Sequence, residues 1–145
     1  MTSLRHICIV CKEDISNLEK FYSKLFHPVK VIKCFEEGEK LQLITGVENI
    51  KLITCKIQTK NFVIELIQYL YPKPLCTQKK SPAFTGLNHF ALTVKKSSDF
   101  LESVKKYGGK FIGNGAKDLN LKVRSAIYVS DPEGNIIEVV EERMW

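Results

Sequence analysis

The chain carries one pattern twice. Leu4-Arg5-His6-Ile7 is matched by Leu87-Asn88-His89-Phe90, and Val63-Ile64-Glu65-Leu66-Ile67 is matched by Ile136-Ile137-Glu138-Val139-Val140. In each half a histidine opens one apolar run and a glutamate sits inside another. A repeat of this length restricts the fold to two like modules, each built from the same series of elements. The glutamates sharpen the constraint. A carboxylate within a β-branched strand is costly to bury unless it is paired, neutralised or bound to a metal.

The periodicity between these landmarks supplies the elements. Residues 4–11 read as a buried strand. Asp14 or Ser16 caps the helix that follows, whose apolar positions Ile15, Leu18, Phe21, Tyr22 and Leu25 have helical spacing. His27-Pro28 ends it, because the residue before proline avoids the helical region. Residues 29–35, 50–57 and 62–70 read as strands. Residues 36–40 are a polar turn, and 41–45 a short strand or part of a loop. Residues 72–82 hold three of the five prolines and read as linker.

The second half repeats the order. Residues 87–94 are a strand, and Ser97 or Ser98 caps a helix that runs to about Tyr107 and is stopped by Gly108-Gly109. Residues 110–112 and 122–129 are strands, separated by a loop rich in Gly, Asn and Lys. Asp131-Pro132-Glu133-Gly134-Asn135 is a turn, since Pro132 fixes its own φ while Gly134 and Asn135 tolerate positive φ. Each half is therefore βαβββ, and the class is α+β. At 145 residues the chain is read as a single domain over 1–145. Module one is 1–71, the linker 72–86 and module two 87–145. Histidine and glutamate stand 59 residues apart in the first half and 49 in the second, the difference falling at 36–49.

Two imidazoles and two carboxylates suit a borderline divalent ion such as Zn, Ni, Co, Mn or Fe. The expected metal ligands are His6, Glu65, His89 and Glu138. Two carboxylates balance the charge of the ion, and four strands give a rigid cup. An ion that prefers six ligands keeps two positions open, the layout of a Lewis acid with a displaceable carboxylate as base. Glu138 and Glu65 are the candidate bases. The unrepeated His27 is read as surface or helix end.

Composition narrows the partners. The net charge is +6, but the lysines are dispersed and no nucleic-acid motif accompanies them, so they read as a solvated surface. No run approaches the length needed to cross a bilayer, and the first residues have no signal-peptide layout, so a cytoplasmic protein is expected. The five cysteines, Cys8, Cys11, Cys34, Cys55 and Cys76, do not suggest a disulfide framework. Cys8 and Cys11 point to opposite faces of a strand, which suits neither a redox pair nor a zinc knuckle. Cys8 shares parity with His6 and reads as strand filler beside it.

Together, the segments 4–7, 18–25, 62–69, 87–94 and 131–141 resemble the vicinal oxygen chelate superfamily. This is the group of glyoxalase I, methylmalonyl-CoA epimerase, extradiol dioxygenases, fosfomycin-resistance enzymes and bleomycin-binding proteins. The resemblance implies paired βαβββ modules forming a cup-shaped mixed sheet around a divalent metal, whose ligand positions fall on His6, Glu65, His89 and Glu138. With all four filled, the chain is more similar to the glyoxalase I and epimerase branches. The implied activity is a metal-dependent lyase or isomerase acting on a small carbonyl or thioester substrate through a metal-stabilised enediolate. The alternatives are a non-catalytic binder of a small drug or antibiotic and an Fe(II) extradiol dioxygenase. The resemblance also implies a site within one chain or across a homodimer. Three departures stand out: Leu25-Phe26-His27-Pro28 replaces the usual Leu-Gly helix end, Glu65 stands where epimerases usually carry glutamine and their dedicated acid–base pair has no counterpart in the sequence, and the basic residues that bind glutathione in glyoxalase I are not evident.

Overall fold

The structure is a computed structural model that describes residues 1–75 and 80–143. Cys76 and Trp145 lie outside the described residues. The chain divides into two compact units, Met1–Thr77 and Gln78–Trp145.

The first unit runs β1 (Ile7–Val10), α1 (Ile15–Phe26), β2 (Lys30–Glu37), α2 (Glu39–Thr45), β3 (Lys51–Gln58) and β4 (Val63–Tyr71). Its sheet has the order β1-β4-β3-β2, with β1 parallel to β4 and the other pairs antiparallel. Asp14 is the cap of α1, its carboxylate accepting from the Ser16 N–H at 2.6 Å. The five apolar positions read from the sequence, Ile15, Leu18, Phe21, Tyr22 and Leu25, are all buried. Each contributes about 1.5–3 kcal/mol by leaving water. The Ile15 N–H donates to Gln68 Oε1 at 3.0 Å, so even-numbered residues of β4 face α1. Ile64 and Leu66 are fully buried on that face. Glu65, Ile67 and Tyr69 therefore occupy the opposite face.

Residues 41–45, read as strand or loop, are the end of helix α2. It starts after Gly38 and stops at Gly46, which is left-handed at φ 69° and donates to the Gln42 carbonyl at 2.8 Å. None of its residues is buried, so no amphipathic stripe marked it in the sequence.

The second unit runs β5 (His89–Val94), α3 (Ser97–Lys106), β6 (Lys110–Phe111), β7 (Ala116–Lys117), β8 (Val123–Ser130) and β9 (Ile136–Glu142). The sheet order is β5-β9-β8-β6, with β5 parallel to β9 and β7 paired on β8. The loop read between 112 and 122 thus contains a strand of two residues. The cap of α3 also differs from the expectation. Its N-cap is Lys96, and the Glu141 carboxylate on β9 accepts from both the Ser97 N–H and the Ser97 hydroxyl, each at 2.7 Å. Those two bonds hold the Glu141 carboxyl below its usual range. At the other end, Gly109 is required by close approach, since a Cβ there would lie 2.6 Å from the Ser130 carbonyl oxygen.

The turn from β8 into β9 is built on Asp131, which is 1% exposed. One of its oxygens accepts from the Glu133 and Asn135 N–H groups at 2.9 Å, and the other from the Asn135 side chain at 2.6 Å. Lys80 donates in turn to Asn135 Oδ1. Asp131 is thus a buried carboxylate with its acceptor capacity used, and it fixes where β9 begins.

Candidate functional site

His6 lies one residue before β1 and shares parity with Cys8, which stands opposite Glu65 on β4. His89 opens β5 and shares parity with Ala91, which stands opposite Glu138 on β9. Each histidine therefore leans diagonally across a parallel strand pair toward the glutamate of its own unit. His6 Nε2 is 3.2 Å from Glu65 Oε2, and His89 Nε2 is 3.4 Å from Glu138 Oε2. The four residues predicted from the sequence thus form two pairs of nearly the same geometry, one in each unit.

Each pair supplies one nitrogen and one oxygen donor of the kind a divalent ion takes. Two donors each about 2.1 Å from an ion, at right angles, stand about 3 Å apart. The observed separations need only a small adjustment to reach that value. Within each unit, the described residues place no third His, Cys, Asp or Glu with the pair as a ligand. Cys8, opposite Glu65 in register, is not grouped with the pair as a third donor among the described residues. Burial and then the Glu65 charge push its thiol up to about 11.

Beyond the pairs, the two units differ. Lys56 faces Glu65 across β3 and β4, with its ammonium 3.4 Å from Glu65 Oε1. Tyr128 faces Glu138 across β8 and β9 at the matching position. Its hydroxyl is 3.5 Å from His89 Nε2, and the two rings lie 4.9 Å apart. Neither residue was anticipated from the sequence. The signal that finds them is hairpin register: they precede the glutamates by nine and ten residues, across turns of four and five.

The glutamates are not equivalent either. The Glu65 side chain is 11% exposed and held by both His6 and Lys56. That of Glu138 is 29% exposed and lines a cleft of about 370 Å³ with Tyr128, Pro82, Ile112, Gly113 and Ala126. Apart from the Glu138 carboxylate and the Tyr128 hydroxyl, these side chains are apolar.

Comparison with known proteins decides the family. Residues 5–128 match the model of the Glyoxalase/Bleomycin resistance protein/Dioxygenase superfamily. The chain belongs to that superfamily. No curated protein sequence matches this superfamily member. Among solved structures, a glyoxalase family protein from Bacillus cereus is similar at 20% identity and a TM-score of 0.87, covering 99% of this chain and 96% of the other. The fosfomycin resistance protein FosX from Listeria monocytogenes is similar at 16% identity and a TM-score of 0.62, covering 99% and 96%. A mutant of the same FosX, solved with Mn(II) and 1S,2S-dihydroxypropylphosphonic acid, has 15% identity and a TM-score of 0.61, covering 97% and 92%. These likenesses establish the superfamily's mixed α+β fold for both halves of the chain. No helix among the described residues is long and apolar enough to cross a membrane.

Proposed function

We propose that this superfamily member is a divalent-metal-dependent lyase or isomerase that moves a proton between adjacent carbons of a small carbonyl or thioester substrate. The observation that carries the reading is the same diagonal His–Glu pair built twice at equivalent register. Its donors for the ion are His6, Glu65, His89 and Glu138, and the Mn(II) complex of FosX supports a divalent ion on this fold. When bound, such an ion supplies Lewis-acid polarisation of vicinal substrate oxygens, which lowers the barrier to losing an α-proton.

The proton carrier in this reading is Glu138 rather than Glu65. A base needs access to substrate and an uncommitted oxygen. Glu138 borders the cleft, whereas Glu65 is engaged from both sides. The Glu138 carboxylate takes the proton from one carbon while the electron pair moves toward the substrate oxygens, and it returns the proton to the neighbouring carbon. The Tyr128 hydroxyl is placed to donate a hydrogen bond to an oxygen that gains charge. The apolar wall of Ile112 and Ala126 receives a short alkyl or aryl substituent. A cytoplasmic setting and a homodimer are part of the same proposal.

The test uses purified protein stripped by chelator and reloaded with Mn, Ni, Co, Zn or Fe(II). Exchange of the α-proton of short α-hydroxy ketones in D2O is followed by NMR. Loaded protein should catalyse exchange, chelated protein should not, and Glu138→Gln should lose about 10²–10⁴-fold. Undiminished exchange in Glu138→Gln removes the base assignment. Failure to bind any of these ions replaces the enzyme with a non-catalytic small-molecule binder of the same fold.

A further inference from the structure

The cleft beside Glu138 is bordered by an irregularity in the chain that flanks β8. Phe111 on β6 pairs with Val129, and Ala116 on β7 pairs with Ala126. Between these two pairs β8 contributes two residues, Ile127 and Tyr128, whereas the flanking chain contributes four, Ile112 to Gly115. The Ile112 N–H still donates to the Tyr128 carbonyl at 2.9 Å. The two extra residues cannot stay in the ladder, so Gly113-Asn114-Gly115 forms a bulge on the edge of β8. Both glycines of that bulge border the cleft, with Ile112, Ala126, Tyr128 and Glu138. They are glycine for different reasons. Gly115 stands at φ 73°, where an L side chain is strained, and a Cβ there would lie 3.1 Å from Ile127 Cβ. Gly113 has neither requirement. Its backbone lies outside the left-handed region, and a Cβ at this position meets nothing within 4 Å. Glycine at 113 is thus demanded by neither conformation nor packing, and what it leaves is room at the border of the cleft.

We infer that Gly113 is a specificity-determining residue: it admits an uncharged, ring-sized substituent of the substrate to this cleft, which refuses the same substituent when it carries an anionic group. The size follows from the volume. A cavity of roughly 150 Å³ holds a benzene molecule, so the cleft of about 370 Å³ takes one ring or two. The selection against anions follows from charge. Among the described residues that line the cleft, Glu138 alone carries a formal charge. A carboxylate or phosphonate entering there meets no cation on the lining and is repelled by the Glu138 carboxylate. The inference rests on the proposed reaction for what the substituent is attached to, while its size and charge follow from the cleft.

The experiment is a ¹H–¹⁵N NMR titration of the chelator-treated protein with 2-hydroxyacetophenone, an α-hydroxy ketone with a phenyl group, and with its 4-carboxy derivative. The phenyl ketone should bind wild type and shift the amides of Ile112, Ala126 and Tyr128. The carboxylated ketone should bind about tenfold more weakly or worse. Gly113→Leu fills the opening and should weaken the phenyl ketone by about tenfold or more, and Gly113→Ala, with one added carbon, should fall between. An unchanged spectrum away from the cleft shows that each variant is folded. A phenyl ketone that causes no shifts at the cleft overturns the inference. So does an affinity that both variants leave unchanged, or equal binding of the carboxylated ketone. The exchange assay on metal-loaded protein separates this from the proposed function. Exchange of hydroxyacetone together with phenyl binding that ignores Gly113 overturns the cleft assignment and leaves the reaction standing. Phenyl binding that depends on Gly113, without exchange of either ketone, leaves the cleft assignment standing and overturns the reaction.

Discussion

Replacing Lys56 with Met should tighten divalent-metal binding. The ammonium stands 3.4 Å from Glu65 Oε1, so an ion that takes Glu65 must compete with it or tolerate it nearby. Two unit charges about 4 Å apart interact by about 1 kcal/mol in water and about 4 kcal/mol at an effective dielectric of 20. The Lys56 side chain is 42% exposed, which places the pair toward the screened end of that range, near 1 kcal/mol by the usual worth of exposed ion pairs. Removing the charge should therefore raise affinity for Mn(II), Ni(II) or Zn(II) by about fivefold, as measured by titration calorimetry at fixed ionic strength. Lys56→Arg keeps the charge and should stay near wild type. Glu65→Gln should weaken binding strongly, and in that background Lys56→Met should no longer help, since the two residues act through one contact. An affinity for Lys56→Met equal to or below wild type would refute the reasoning, because it would mean that Glu65 is not the carboxylate the ion uses.

Three further outcomes follow from the packing. Asp131→Ala should destabilise the second unit by about 2–4 kcal/mol, because it leaves the Glu133 and Asn135 N–H groups without their acceptor, and denaturant unfolding reads this directly. His27→Gly should stabilise the chain by about 0.5–1 kcal/mol, seen as a higher Tm, since His27 sits at φ 46° where an L side chain is strained; a lower Tm would show that His27 makes compensating contacts. Glu141→Gln should lower Tm by a few degrees at neutral pH. Because the Glu141 carboxyl titrates below its ordinary value of 4.5, its contribution is complete above that pH and is lost as pH falls through the folded value. The gap between variant and wild type should therefore close in acid, and a gap that persists there would rule out the carboxylate as the cap of α3.

The repeat and the α1 stripe were legible because both are carried by order along the chain. The same order marked His6, Glu65, His89 and Glu138, each embedded in a run that alternates or repeats. Lys56 and Tyr128 were not legible, because nothing near them in sequence sets them apart from other strand residues. They become site residues only through the register of β3 on β4 and of β8 on β9. The capping of α3 by Glu141 was hidden for the same reason, since its acceptor arrives from a strand 44 residues away. Helix α2 escaped notice because it buries nothing, and burial is what writes helical period into a sequence.

The parallel pairing of β1 with β4 and of β5 with β9 has a consequence for how each half assembles. A parallel pair cannot be joined by a hairpin, so each histidine meets its glutamate only after 59 or 49 residues of intervening chain have been placed. The extra segment with α2 adds little to that cost: the closure entropies of the two loops differ by about 0.2 kcal/mol, since the penalty grows only with the logarithm of length. An insertion of this size is nearly free, while the contact it precedes has high contact order and is slow to form. The imidazole–carboxylate pair thus reports completion of its own unit. A half-made unit still offers scattered donors, but it cannot present this pair to an ion, so the competence to ligate arrives together with the closed strand order.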